Sequence, residues 1–232
     1  MKDSLKTIIF ATVLGVVCAG LLAGANQMLK PFQEANAAAE KWRNIFDVLG
    51  VSYNPDANSH ELLRLVQSPD NPDGKVSEIE AAGMTIYTYD HPEAGKLYAV
   101  EFSGPGLWGP IDGLLCLKGD LKTVFNIAFY KQEETPGLGG EIGNKPKDGK
   151  KTFTGKFQGK TIDGPGKAGI RVRKPDQASG ANEVDGISGA TLTCDKVEAM
   201  VNEISEIVLK NRDAILSAKP NSGAVRKEAG NE

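Results

Sequence analysis

A seven-residue segment, Asp185–Thr191, combines hydroxyl groups with small residues directly before a predicted helix. Glycine and alanine allow a tight turn, and a helix start offers backbone N–H groups and the positive end of the helix dipole. This arrangement suits a phosphate group, which the hydroxyl of Thr191 could carry covalently. The alternative is a structural turn that leads into a capped helix. A serine nucleophile is poorly supported, because there is no G-x-S-x-G pattern and neither His60 nor His91 can be assigned as a base.

Two glycine-rich loops are candidates for the walls of a ligand site. Gly104–Gly109 matches G-x-G-x-x-G, but Pro110 and a strand-like run follow it, where a dinucleotide site requires a helix. The loop is therefore not predicted to bind a nicotinamide dinucleotide. Leu107 and Trp108 either line a site for an apolar ligand or are ordinary packing residues. The second loop, Gln132–Gly140, is either a surface turn or a pocket rim in which Leu138 lies against a ring.

The sequence around these loops predicts the elements that position them. Apolar residues at helical spacing from Val197 to Ile215 predict a long helix after the heptapeptide, with Thr193 as its N-cap and Asp195 in its first turn. Alternating runs indicate an antiparallel sheet. The predicted strands are Met84–Tyr89, Leu97–Phe102, Gly113–Leu117, Thr123–Tyr130 and a short one at Ile170–Val172, with a hairpin turn at Lys118–Asp120. The other expectations are a helix at Gln33–Leu49, a helical turn at Glu61–Val66, a loop at Ser68–Gly74 and a polar, disordered tail at Ala218–Glu232.

An uncharged run of 23 residues, Thr7–Leu29, lies near the N-terminus. As a helix it would be roughly 34 Å long, enough to cross a hydrocarbon core of about 30 Å. Its length favours an uncleaved membrane anchor over a secretory signal peptide, although Ala23–Ala25 fits a cleavage site. The basic residues Lys2 and Lys6 before the run favour a cytoplasmic N-terminus, which places the remainder on the outer side.

Composition excludes several other classes of function. With 27 basic and 30 acidic residues, the formal net charge of −3 gives no support for nucleic-acid binding. The two histidines have no neighbours at metal-ligand spacing, so no protein-built zinc or haem site is expected. Of the three cysteines, Cys18 follows the bulky Val17, which disfavours lipid attachment. At most one disulfide, Cys116–Cys194, fits the pattern, and free thiols are favoured.

Three segments together resemble the FMN-binding domain of one family. That family comprises the C subunit of the sodium-translocating NADH:quinone oxidoreductase and the G subunit of the related Rnf complex. The segments are GPGLWGPI at Gly104–Ile111, ETPGLGG at Glu134–Gly140 and DGISGATLT at Asp185–Thr193. The resemblance covers nearly the whole chain, including the N-terminal span. The GLWGPI string is more similar to the quinone reductase protein than to its Rnf counterpart.

The resemblance implies an α+β fold, in which one N-terminal transmembrane helix precedes an exported domain with an antiparallel or mixed sheet flanked by helices. The expected division is a membrane anchor at residues 1–30, a connecting region at 31–82, an FMN-binding domain at 83–217 and the tail at 218–232. The expected location is the bacterial cytoplasmic (inner) membrane, with the domain on the periplasmic side.

By position, the resemblance implies that Thr191 bears FMN through a phosphodiester bond. A separate flavin transferase, which uses FAD and a divalent metal, would recognise Asp185 and attach the cofactor. The other implied cofactor-binding residues are Ser188, Gly189, Ala190, Leu192, Leu107, Trp108, Gly109, Glu134, Thr135, Pro136, Gly137, Leu138 and Gly139. A covalent link has a physical reason, because an exported domain meets almost no free FMN and would lose a dissociable cofactor.

The resulting functional expectation is an electron-transfer subunit of a membrane-bound, sodium-translocating NADH:quinone reductase. FMN would do the redox chemistry and would exchange electrons with other subunits, so that no side chain need act as an acid or base and no metal is required. The alternatives are the G subunit of an Rnf-type complex and, in another class, a membrane-anchored binding or assembly module without redox function.

Overall fold

The computed structural model describes residues 2–67, 76–144, 152–164 and 169–220. The helices are α1 (Lys2–Leu49), α2 (Ser59–Gln67), α3 (Thr191–Lys210) and α4 (Arg212–Ser217), with 3-10 helices at Gly139–Gly143 and Thr154–Phe157. The strands are β1 (Ser77–Ala81), β2 (Met84–His91), β3 (Gly95–Pro105), β4 (Pro110–Lys118), β5 (Val124–Lys131), β6 (Arg171–Arg173) and β7 (Glu183–Asp185). The loop predicted at Ser68–Gly74 and residues 221–232 of the predicted tail lie outside the described residues.

The first five strands form one antiparallel sheet in chain order, and β6 pairs with β7 in parallel. Each of the four longer predicted strands is present, and so is the predicted turn between β4 and β5. Strand β1 was not predicted, because Ser-Glu-Ile-Glu-Ala carries two acids and has little apolar content. It pairs only with β2 within the sheet, through a turn in which Ala82 and Gly83 have φ of 55° and 73°. It brings residues 77–81 of the predicted connecting region into the sheet.

Helices cover both faces of the sheet. The C-terminal part of α1 packs one face, where Trp42 and Phe46 lie among Tyr87, Ala99 and Leu114. Helix α3 and the 3-10 helices cover the other face. The buried residues of that second face include Val197, Val201, Ile204, Phe157, Val100 and Leu115. The antiparallel sheet flanked by helices confirms the predicted α+β class.

Helix α1 continues from the apolar run into the domain and includes Pro31 within its length. Among the described residues it is the one helix long and apolar enough to cross a membrane, and none of its most apolar window is buried. Side chains from Ile8 to Phe32, including Phe10 and Leu22, are exposed. The part of α1 that the domain buries begins near Ala39.

The direction of α1 relative to the sheet is fixed by contacts near its end. The Nζ of Lys41 lies 3.3 Å from Oε1 of Glu101, in the second half of β3. Further along the helix, a Cβ placed on Gly50 would lie 3.2 Å from Nε2 of His91, which pairs with Gly95 at the start of β3. Helix α1 therefore runs antiparallel to β3, and the β3–β4 turn points back along α1 toward its apolar half.

The start of α3 differs from the prediction. The helix begins at Thr191 with Ala190 at its N-cap position, so the predicted capping role of Thr193 is wrong. The first turn contains no acidic residue, because Asp195 falls in the second turn. The reason is tertiary, since the hydroxyl of Thr193 donates a hydrogen bond to a carboxylate on a distant loop, Oε2 of Glu134, at 2.6 Å.

Candidate functional site

The β3–β4 turn, the loop after β5 and the start of α3 meet around one cavity of about 230 Å³. These segments are far apart in the sequence, and the sheet topology brings them to the same end of the domain. The cavity is lined by Leu107, Trp108, Glu134, Thr135, Leu138, Gly139, Gly189, Ala190, Thr191, Leu192 and Thr193. Ten of these residues were named from the sequence as cofactor-binding candidates; Thr193 was not.

The remaining candidates lie around this cavity and not in its lining. Ser188 lines a second cavity of about 460 Å³, which shares Gly189 and Thr191 with the first. Gly109 accepts a hydrogen bond at its carbonyl from the Gly106 N–H, 2.8 Å away, and so closes the β3–β4 turn. Pro136 and Gly137 form the exposed tip of the other loop.

The partly exposed carboxylate of Asp185 is hydrogen-bonded to the backbone of the same chain. Its Oδ1 accepts hydrogen bonds from the backbone N–H groups of Gln177 and Ala178, both at 2.9 Å. The hydrogen bond from Ala178 and the weaker one from Gln177 lower the pKa of Asp185, against the opposing effect of burial. Lys156 donates to the Asp185 backbone carbonyl at 3.2 Å. Asp185 thus holds the approach to the heptapeptide turn in place.

Glu134 connects all three segments through one buried carboxylate. Its Oε1 accepts hydrogen bonds from the backbone N–H groups of Leu107, at 2.7 Å, and Trp108, at 3.2 Å. Its Oε2 accepts the Thr193 hydroxyl at 2.6 Å. The residue is only 5% exposed. Burial opposes ionisation of this carboxyl, but the three hydrogen bonds together outweigh it and lower the pKa of Glu134.

Two glycines make room for this carboxylate. A Cβ on Gly106 would lie 2.5 Å from Oε1 of Glu134, and a Cβ on Gly139 would lie 2.8 Å from Oε2. The Gly139 Cβ would also lie 2.5 Å from Oγ1 of Thr193. Larger residues at these two positions would force the buried carboxylate out of its hydrogen bonds. Gly106 and Gly139 are therefore explained by the buried acid.

Thr191 is exposed at the junction of the two cavities, as the first residue of α3. The turn before it requires Gly189, which has φ of 76°. The apolar side chains around the first cavity are also accessible. Their exposed fractions are 45% for Leu107, 69% for Trp108, 43% for Leu138 and 60% for Leu192. An open apolar slot thus lies beside a hydroxyl at a helix start.

Two of the three cysteines, Cys116 and Cys194, lie on opposite faces of the sheet. Cys116 packs with α1, whereas Cys194 packs in the core under α3. Both are free and buried, so no Cys116–Cys194 disulfide forms in the structure. Burial raises the pKa of each thiol, which disfavours the reactive thiolate. Within the described ranges, no group of three or more His, Cys, Asp or Glu residues is placed to hold a metal ion.

Cavity volume alone would not select this site. A cavity of about 870 Å³ lies along α3 near Glu206, and one of about 410 Å³ lies between α1 and β5. Neither contains a residue predicted from the motifs. The site is distinguished by the convergence of the two glycine loops and the heptapeptide.

Comparison with known proteins bears on the identity of this site. Residues 106–206 match the family described as FMN-binding domain. The matched segment spans the cavity from Leu107 to Thr193 and most of α3.

The chain is also similar to proteins with a named role. It is 29% identical over 246 residues to the C subunit of the Na(+)-translocating NADH-quinone reductase of Pseudomonas aeruginosa, with 87% of this chain and 91% of that protein covered. It is 29% identical over 239 residues to the corresponding protein of Pasteurella multocida, with 84% of this chain and 88% of that protein covered. The resemblance to these proteins, found from the three motifs, is thereby confirmed.

A solved structure supports the same fold. The crystal structure of the C subunit of the Na(+)-translocating NADH-quinone reductase from Parabacteroides distasonis superposes with a TM-score of 0.61 at 24% identity, covering 82% of this chain and 98% of that one. At this identity the likeness concerns the fold.

Proposed function

We propose that this chain is the covalent-FMN electron-transfer subunit of a sodium-translocating NADH:quinone reductase. The observation that carries the proposal is the position of Thr191, an exposed residue at the start of α3 and at the junction of the two cavities. In this proposal Oγ1 of Thr191 is esterified to the FMN phosphate. The name that the relatives share supports the assignment of this chain to that complex.

The residues present fit FMN in size and polarity. The two cavities, of about 230 and 460 Å³, meet at Gly189 and Thr191, and together they fall in the range of about 300–1,000 Å³ that is usual for cofactor sites. The side chains of Leu107, Trp108 and Leu138 suit a flat aromatic ring. The start of α3 suits a phosphate, because helix starts favour anions.

Attachment of FMN to Thr191 is a phosphoryl-transfer reaction with FAD as the donor. The Thr191 oxygen forms a bond to the FMN phosphorus of FAD, the pyrophosphate bond breaks, AMP leaves, and the hydroxyl proton passes to a base on the flavin transferase. Bound FMN supplies the redox chemistry. The chain's own residues fix its position. The turn at Gly189 presents Thr191, Asp185 holds that turn, and the two loops form the walls.

The proposal includes a membrane anchor at α1, with the N-terminus in the cytoplasm and the domain on the periplasmic side of the inner membrane. Its apolar side chains from Ile8 to Phe32 are exposed in the described part of the chain, and the N-terminal lysines support the orientation. From Lys30 to Lys41 the helix rises about 16 Å. From Glu101 to Pro105 strand β3 runs about 14 Å in the opposite direction, back toward the apolar half of α1. This geometry supports a flavin site that faces membrane-embedded subunits.

The test is flavin fluorescence of the full-length protein in a denaturing gel, after coexpression with a flavin transferase. Wild type should fluoresce and gain the mass of one FMN moiety on intact-protein mass spectrometry. Thr191→Ala should lose both signals. Ser188→Ala is the matched control, because it removes another hydroxyl of the same turn and should keep the flavin. A wild type without added mass would favour a non-redox binding module, and fluorescence retained in Thr191→Ala would contradict the attachment site.

A further inference from the structure

The carboxylate of Glu134 has an unusual combination of burial, charge and position. It lines the cavity assigned to the flavin ring, yet both its oxygens are occupied by donors of the protein. It is therefore not a free ligand for a cofactor. All three donors are neutral groups, two backbone N–H groups and one hydroxyl. The hydrogen bonds stabilise the ionised form without adding a formal positive charge.

Geometry alone does not require an acid at this position. A glutamine could accept both backbone hydrogen bonds at Oε1 and could donate from Nε2 to Oγ1 of Thr193, because a hydroxyl also accepts. The carboxylate and the amide have nearly the same shape. What distinguishes Glu134 from glutamine is a full negative charge that is screened little by solvent, because the side chain is 5% exposed.

This charge affects the reduction potential of a redox group that is bound in the cavity. Reduction adds electron density to the ring system, and a nearby fixed negative charge disfavours that change. We propose that Glu134 is a positioning residue that joins the three walls of the cavity and, through its buried negative charge, lowers the reduction potential of the bound flavin. The inference rests on the proposed FMN site and assigns this acid a role in setting the potential.

The test is a potentiometric titration of the full-length, FMN-loaded protein at pH 7, followed by flavin absorbance. Glu134→Gln retains the shape and removes the charge. The equilibrium should shift toward the reduced flavin by at least tenfold, which for a two-electron couple corresponds to about 30 mV. Glu133→Gln is the matched control, because it removes the same charge from the adjacent, exposed residue. Solvent screens that charge, so the shift should be clearly smaller.

A second variant separates charge from structure. Thr193→Val removes one hydrogen bond to the carboxylate but leaves its charge, so the potential should not rise. The proposal is overturned if Glu134→Gln leaves the potential unchanged, if Glu133→Gln shifts it equally, or if Thr193→Val raises it as much. It is also overturned if Glu134→Gln no longer takes up FMN, because glutamine would then be unable to replace the acid in joining the walls, and the charge would have no separate role in setting the potential. A wild type that carries no FMN would instead contradict the proposed function.

Discussion

The hydrogen bond between Thr193 and Glu134 is expected to contribute measurably to stability. It links the first turn of α3 to the loop after β5 across 59 residues of sequence, at 2.6 Å and out of contact with solvent. Thr193→Val replaces the hydroxyl with a methyl group of similar size, so the packing is retained and only the donor is lost. Thr193→Ser keeps the donor and loses the methyl group, which makes it the matched control.

The expected magnitude follows from the charge on the acceptor. Hydrogen bonds to charged groups contribute about 1.5–3 kcal/mol. Glu134 keeps its two backbone donors in Thr193→Val. We therefore expect the free energy of unfolding to fall by about 2 kcal/mol at pH 7.

The loss should depend on pH in a defined direction. The pKa of Glu134 in the folded protein lies below its ordinary value of 4.5. Its ionised form therefore stabilises the folded protein above about pH 4.5, and this contribution disappears as the pH falls through the lowered folded pKa. Because Thr193→Val raises that folded pKa, its difference from wild type should shrink in the same window.

The assay is denaturant unfolding of the full-length protein in detergent, followed by near-ultraviolet circular dichroism at pH 7 and at pH values below 4.5. The reasoning is refuted if Thr193→Val unfolds within about 0.5 kcal/mol of wild type at pH 7, well below the expected hydrogen-bond energy. It is also refuted if the difference is the same at every pH, or if Thr193→Ser loses as much as Thr193→Val.

Two further predictions concern the heptapeptide turn and the thiols. Gly189→Ala and Gly137→Ala should each lose about 1–3 kcal/mol of unfolding free energy, because both glycines have positive φ, 76° and 77°. Only Gly189→Ala should also lower the yield of in-gel flavin fluorescence, since its Cβ would lie 2.9 Å from Cδ2 of Leu138. A Cβ on Gly137 would meet no atom of the described residues within 4 Å. Equal fluorescence yields of the two variants would contradict this prediction. Cys116 and Cys194 should resist maleimide in the folded protein at pH 7 and react after denaturation. Rapid labelling of either residue in the folded protein, assigned by peptide mass spectrometry to separate it from the exposed Cys18, would show that burial does not suppress their thiolates.

Much of the fold was predictable because its signals are local. The four longer strands alternate in apolar content between turn residues, and the helix after the heptapeptide repeats its apolar residues at helical spacing. Strand β1 was not predictable in this way, because its conformation depends on pairing with β2. The N-cap prediction at Thr193 failed for a related reason. A hydroxyl near a helix start fits the local capping rule, but the Thr193 hydroxyl is hydrogen-bonded to Glu134 of another segment.

The sequence by itself determined the components of the candidate site: a long apolar helix, two glycine-rich loops, and a hydroxyl at a small-residue turn before a helix. These features depend on neighbouring residues, so they can be identified without a structure. Only the tertiary structure decided that the three segments meet at one end of the sheet and that α1 directs that end toward its apolar half. It also decided that the Glu134 carboxylate is buried between the loops and α3, because its donors come from residues 27, 26 and 59 positions away. Contacts of that range arise from packing, and a local pattern in the sequence does not specify them.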